Sequence, residues 1–156
     1  MANDAALRDQ LARLLDWNSA HLRFDDAVND FPPALRGVRP AGAPHSAWEL
    51  LEHLRITLWD IVEFSRNSNH VSPEWPAGYW PDGAAPPDEK AWDESIAACR
   101  GLLRGLADLA SDQRNDLFAR IPHGDGQTLL REILLAADHN AYHVGQLVMV
   151  RRMLIG

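Results

Sequence analysis

The sequence predicts an all-α protein, a four-helix bundle with long connections. Three observations carry that prediction. Apolar residues recur three and four positions apart over four long stretches, the period of a helix buried along one face. No segment alternates apolar and polar residues for long enough to read as a strand. Runs rich in proline or in turn residues separate the four stretches. At 156 residues the chain has the size of one domain, so residues 1–156 are read as a single bundle.

The first stretch runs from about Asp4 to Val28 and carries Leu7, Leu11, Leu14, Leu15, Asn18, His21, Leu22 and Asp25 at helical spacing. Asp4 is its candidate N-cap, and Phe31-Pro32-Pro33 ends it. The second opens on Ser46-Ala47-Trp48-Glu49, a capping box in which hydroxyl and carboxylate satisfy each other's exposed backbone N–H groups. It continues through Leu50, His53, Ile56, Thr57, Asp60, Ile61 and Phe64 to about Arg66. The third starts near Asp88, with Trp92, Ile96, Cys99, Leu102, Leu103, Leu106 and Ala110 on one face. After the turn signature His123-Gly124-Asp125-Gly126, the fourth opens near Thr128 and runs to about Leu154.

Between the second and third helices, about Asn67 to Pro87, five prolines accompany Trp75, Tyr79 and Trp80. That is too much proline for a helix and too aromatic for a flexible linker, so the segment is read as an ordered loop packed on the bundle or in a subunit contact. A 20-residue helix spans about 30 Å, a distance roughly 10 extended residues cover. The loop is therefore long enough to cross the bundle and set helices two and three parallel.

Composition excludes several functions. Hydrophobic residues make up 46% and charged residues 24%, which argues against disorder. A net charge of -7 leaves no basic footprint for nucleic acid or an anionic membrane. No apolar run approaches a membrane span, and the N-terminal residues show no signal-peptide pattern, so a cytoplasmic location is expected. The lone Cys99 forms no internal disulfide and falls on the apolar stripe of helix three, where an inert core thiol is expected.

The seven histidines carry the functional signal. His139 and His143 are four apart on helix four and project from one face, the helical spacing that chelates one metal. The plain alternative is two surface or core histidines, because such spacing also arises by chance. Leu135, Leu147 and Val150 flank the pair and turn it inward, where unliganded imidazoles are costly. His53 shares the inward face of helix two and is the candidate third ligand. His21 lies on the inward face of helix one with Asn18 and Asp25, which suggests a polar pocket at one end of the bundle. His21 and Asp25 are candidate acid–base groups; Asn18 and Gln146 are candidate orienting groups. Glu49 is assigned to the capping box. His45, His70 and His123 are expected at the surface, and Trp48 and Trp59 off the His53 face.

At these residues the sequence resembles the DinB/YfiT-like superfamily of four-helix-bundle proteins. The resemblance covers nearly the whole chain and rests on residues 46–66, 72–81 and 116–154, most specifically the segments EHL and HNAYHVGQL. It implies three metal-ligating histidines, one on the second helix and a spaced pair on the last, which map onto His53, His139 and His143. It also implies up-down-down-up order, a homodimer, and a divalent ion such as zinc or nickel. Characterised relatives include thiol transferases and isomerases that use low-molecular-weight thiols. Three neutral imidazoles leave a divalent ion with an open position, the pattern of a catalytic site. The expected function is therefore a metal-dependent thiol transferase or hydrolase acting on a small molecule. The alternative is a non-catalytic, metal-dependent ligand-binding or stress-response protein.

Overall fold

A computed structural model describes residues 2–16 and 20–156. Five helices are present among them: α1 (Ala2–Leu14), α2 (Phe24–Val28), α3 (Ala47–Arg66), α4 (Ala91–Ser111) and α5 (Leu129–Ile155). No strand forms among the described residues, and β pairing is confined to one isolated bridge between Arg120 and Thr128. None of the helices is long and apolar enough to cross a membrane.

Local chemistry sets the ends of the long helices. The Ser46 backbone N–H donates to Glu49 Oε2 at 2.8 Å, and Ser46 Oγ accepts from the Glu49 N–H at 3.2 Å, the expected capping box. Asp88 Oδ1 accepts from the N–H groups of Lys90 and Ala91, so α4 begins one turn beyond the predicted start. Thr128 caps α5 through the Arg131 N–H.

The first predicted helix does not run unbroken to Val28. Helix α1 ends at Leu14, and the next helix among the described residues is α2. Asp16 is a weak helix former, and the Asp26 carboxylate accepts from the Arg23 N–H to start a fresh N-terminus. The break also lets two faces be buried against different partners. Leu11 and Leu15 sink beside α4, whereas Ala27, Val28 and Phe31 pack into the core with α5.

Specific contacts fix the helix directions. Arg8 at the middle of α1 reaches the Ala110 carbonyl at the end of α4, while Ala12 at its later end lies with Leu103 and Arg104, earlier in α4, so these two run antiparallel. Ser95 Oγ donates to Glu52, pairing the early turns of α3 and α4, which are therefore parallel. His53 meets His143, while the Phe64 carbonyl at the far end of α3 accepts from His123 ahead of α5, so α3 and α5 are antiparallel. The order is up-down-down-up for α1, α3, α4 and α5. Leu50, Leu54 and Leu58 of α3 interlock with Ile96, Cys99 and Leu106 of α4 and with Ile133, Ala136 and Leu147 of α5.

Parallel α3 and α4 require a crossing, and residues 67–90 make it along the flank of α3. Three rungs fasten this segment. His70 Nε2 and the Tyr79 hydroxyl both bond Asp60, the Tyr79 carbonyl accepts from His53, and the Ala84 carbonyl accepts from Ser46 Oγ. Gly37 closes the top of the crossing, since a Cβ there would lie 2.4 Å from the Ala85 Cβ. The segment packs on the bundle, along the flank of α3. Trp75 is 76% exposed.

Candidate metal centre

Helix geometry brings the three predicted ligands together. His53 sits one and a half turns into α3, and His139 and His143 stack one turn apart on α5. His53 Nε2 lies 3.1 Å from His143 Nε2 and 3.0 Å from His139 Nε2. With metal–nitrogen bonds of about 2.0–2.1 Å, two ligand nitrogens stand about 3.3 Å apart at a tetrahedral angle and about 2.9 Å apart at a right angle. The observed spacings fall between these values. The three ring nitrogens lie close enough together to hold one metal ion.

Proton placement sharpens the fit. The Tyr79 carbonyl can only accept, so the Nδ1 facing it at 2.8 Å carries the proton of His53. Gln146 Oε1 likewise accepts from His143 Nδ1 at 2.7 Å, so that nitrogen carries the proton of His143. In the neutral rings both Nε2 atoms then present bare lone pairs to each other at 3.1 Å. That contact is no hydrogen bond; it is a convergence that a Lewis acid satisfies. His139 Nδ1 is buried without a partner.

The rings are held neutral. Burial is the first cause of a depressed pKa at all three, followed at His139 by the neighbouring His143 and His53, and at His143 by His53. His139 falls to about 3 and His143 to about 4. Because these folded-state values lie below the unfolded value of about 6.5, the unfolded chain takes up protons first as pH falls. The stabilising contribution is full above about pH 6.5 and is lost as pH drops toward 4, by at most about 1.4 kcal/mol per pH unit for His139 and for His143 and by less where solvent screens the ring. Urea midpoints of metal-free protein are expected to fall steeply over that interval. A His139→Gln, His143→Gln double variant should show a flatter profile, and an equally steep one would refute this account.

Aromatic rings wall the site. Trp80 stacks on His53 at 4.0 Å and on His45 at 4.0 Å. Two rings cannot share one indole face at that distance, so His45 and His53 cover opposite faces. Tyr142 meets His143 edge-to-face at 4.8 Å.

The other predicted residues are distributed differently. Gln146, a candidate orienting group, lies beside the triad in hydrogen-bond contact with His143. His21 is exposed in the bend before α2, with Nδ1 on the Leu22 carbonyl, because the helix that would have turned it inward is interrupted. Asp25 pairs with Arg100 at 2.8 Å. Neither joins the histidine cluster. Asn18 lies outside the described residues. Glu49 serves the capping box and pairs with Arg39. His123 is exposed as expected, bonded to the Phe64 carbonyl.

Two surface expectations are corrected. His45 is half-buried against Trp80, and the His70 side chain is 4% exposed on Asp60. Both are positioned by the crossing segment, whose path helical periodicity does not encode. Trp48 is buried in the core, whereas Trp59 meets His70 at the surface. The sequence signal available for Trp80 and Tyr142 was adjacency: one closes the proline-bounded aromatic run, and the other precedes His143.

Cys99 is fully buried, and burial pushes its thiol up to about 12. Cys99→Ser is expected to leave metal content unchanged while costing about 1–3 kcal/mol of stability, the penalty of a buried hydroxyl. Metal analysis and thermal melts of the variant check both halves.

The family model for the DinB superfamily matches residues 6–147. No curated protein and no solved structure matches the chain.

Proposed function

The chain belongs to the DinB superfamily, and from that premise we propose that His53, His139 and His143 bind a divalent ion, zinc or nickel. We further propose that the site acts as a small-molecule transferase or hydrolase, with a low-molecular-weight thiol as the preferred co-substrate. The observation that carries the reading is the pair of facing Nε2 lone pairs, each fixed by a hydrogen bond on the opposite side of its ring. A divalent ion held by three neutral imidazoles keeps its charge and an open position, and lowers the pKa of a water or thiol taken up there.

The chain's own residues do the rest. The Tyr79 carbonyl and the Gln146 amide hold His53 and His143 in the tautomer that points Nε2 inward, the usual task of outer partners at metal sites. Trp80 shields one face of His53, and Tyr142 leans on His143 from the open side. A homodimer is part of the same reading, and sedimentation of the purified chain tests it.

A second reading is supported by the position of the acid–base candidates. With His21 on the surface and Asp25 on Arg100, neither stands beside the triad, which suits a protein that binds a small ligand through its metal without turning it over. Cobalt-loaded protein titrated with cysteamine separates the readings. Thiolate-to-metal charge-transfer absorption is expected, together with consumption of an alkyl halide as its carbon takes the sulfur and halide leaves. Absorption without consumption favours the second reading; no absorption at any thiol concentration overturns the thiol reading.

A further inference from the structure

A cleft of about 450 Å³, almost wholly apolar, lies one side chain away from the triad, which it meets through Gln146 and Tyr142, the two lining residues that touch His143. Its long wall is the outer face of α5, where Tyr142, Met149 and Met153 are 64%, 55% and 51% exposed, and Val150 forms part of its floor. Its polar side chains include His45 and Gln146. Each belongs to the surroundings of the metal centre: Gln146 holds His143, and His45 covers Trp80 on the face opposite His53. The cleft is thus polar beside the histidines and apolar along the last turns of α5.

We propose that this cleft is the substrate subsite and that its occupant is a small molecule with an aliphatic body, lying along Met149 and Met153 with its reacting end at the histidines. The proposal rests on the metal-centre reading and names the class of substrate for it. Three features argue for a small molecule. The volume is that of a ligand pocket, about 300–1,000 Å³. The lining is apolar along α5, and His45 and Gln146 are at the end nearest the histidines, as a ligand with a polar head and an apolar tail requires. Methionines line the apolar part, and their flexible, polarizable side chains adapt to chains of different length.

Aliphatic hydroxamates of graded length, from acetohydroxamate to decanohydroxamate, are a direct probe, because the head binds metal and only the tail varies. Calorimetry on zinc-loaded protein is expected to show affinity rising about fourfold per added methylene until the cleft is filled. Met149→Asp, at an exposed position, should retain the bound zinc and lose most of that rise. Equal affinity at every length in the wild type, or an unchanged rise in Met149→Asp, overturns the subsite. Failure to take up zinc overturns the metal-centre reading instead, and zinc uptake with no hydroxamate bound at any length overturns the open position on the metal and the subsite with it. If Met149→Asp turns a dimer into a monomer while the rise persists, the cleft belongs to a subunit contact and the proposal is overturned.

Discussion

Metal-free protein titrated with zinc is expected to saturate at about one ion per chain, and His143→Ala to bind at least about 100-fold more weakly. Loss of an outer hydrogen-bond partner at a metal site costs about 10–100-fold, and loss of a ligand atom costs no less. Gln146→Ala therefore provides an internal scale: it removes only the acceptor that orients His143 and should fall within that 10–100-fold range. His53→Ala and His139→Ala should resemble His143→Ala. Because a ligand that binds only the folded chain stabilises it, zinc at about 100 times its Kd should add about 2.7 kcal/mol to the wild type and nothing comparable to the three alanine variants. Equal metal content in all four proteins would remove the site.

Arg8→Ala is expected to cost about 3 kcal/mol and to lower Tm by roughly 6–12 °C, a large effect for a residue remote from the metal centre. Arg8 is 7% exposed. Its guanidinium donates to the carbonyls of Ala110 and Asp112 at 3.0 Å and of Asn115 at 2.8 Å, and its Nε pairs with Asp4 at 2.9 Å. These carbonyls lie at and just beyond the end of α4, where helix groups lack intrahelical partners and the dipole favours a cation. Removing the guanidinium strands a buried carbonyl and unfastens α1 from α4. Arg8→Lys should recover only part of the loss, since an ammonium lacks the planar fork that serves three acceptors at once. A calorimetric loss below about 1 kcal/mol for Arg8→Ala would show that water replaces these bonds without penalty.

What the sequence discloses about this molecule follows from how local each feature is. Helices α3, α4 and α5 were legible because cap and apolar period coincide within each segment, as at Ser46 and Thr128. The triad was legible for the same reason. A four-residue spacing places His139 and His143 together whatever the rest of the chain does, and His53 needs only the antiparallel contact of two long helices. The break after Leu14 was hidden, because the apolar spacing continues through residues that turn out to serve two separate helices. That error displaced His21 and Asp25 from the site to the surface. The roles of His45, His70 and Trp80 were hidden for a different reason. Each depends on the path of the crossing segment, and that path is set by contacts between residues far apart in sequence, such as Ala84 with Ser46 and Tyr79 with His53.

The crossing between α3 and α4 has a consequence for how this chain can change over time. Connections are ordinarily where insertions and deletions accumulate at little harm. Here about 10 extended residues would suffice to span a 20-residue helix, so much of the segment is surplus to mere connection. The surplus is not free to be trimmed, because Tyr79 lends its carbonyl to His53 and Trp80 lends its ring. A circular permutant opened near Gly83 would keep all the long helices and both rungs on the α3 side, whereas a deletion through Tyr79 and Trp80 would leave the bundle standing and the imidazole untethered. Evolutionary drift in this chain is therefore channelled: the exposed stretch around Trp75 can wander, while the two residues that reach the histidines are bound to the chemistry.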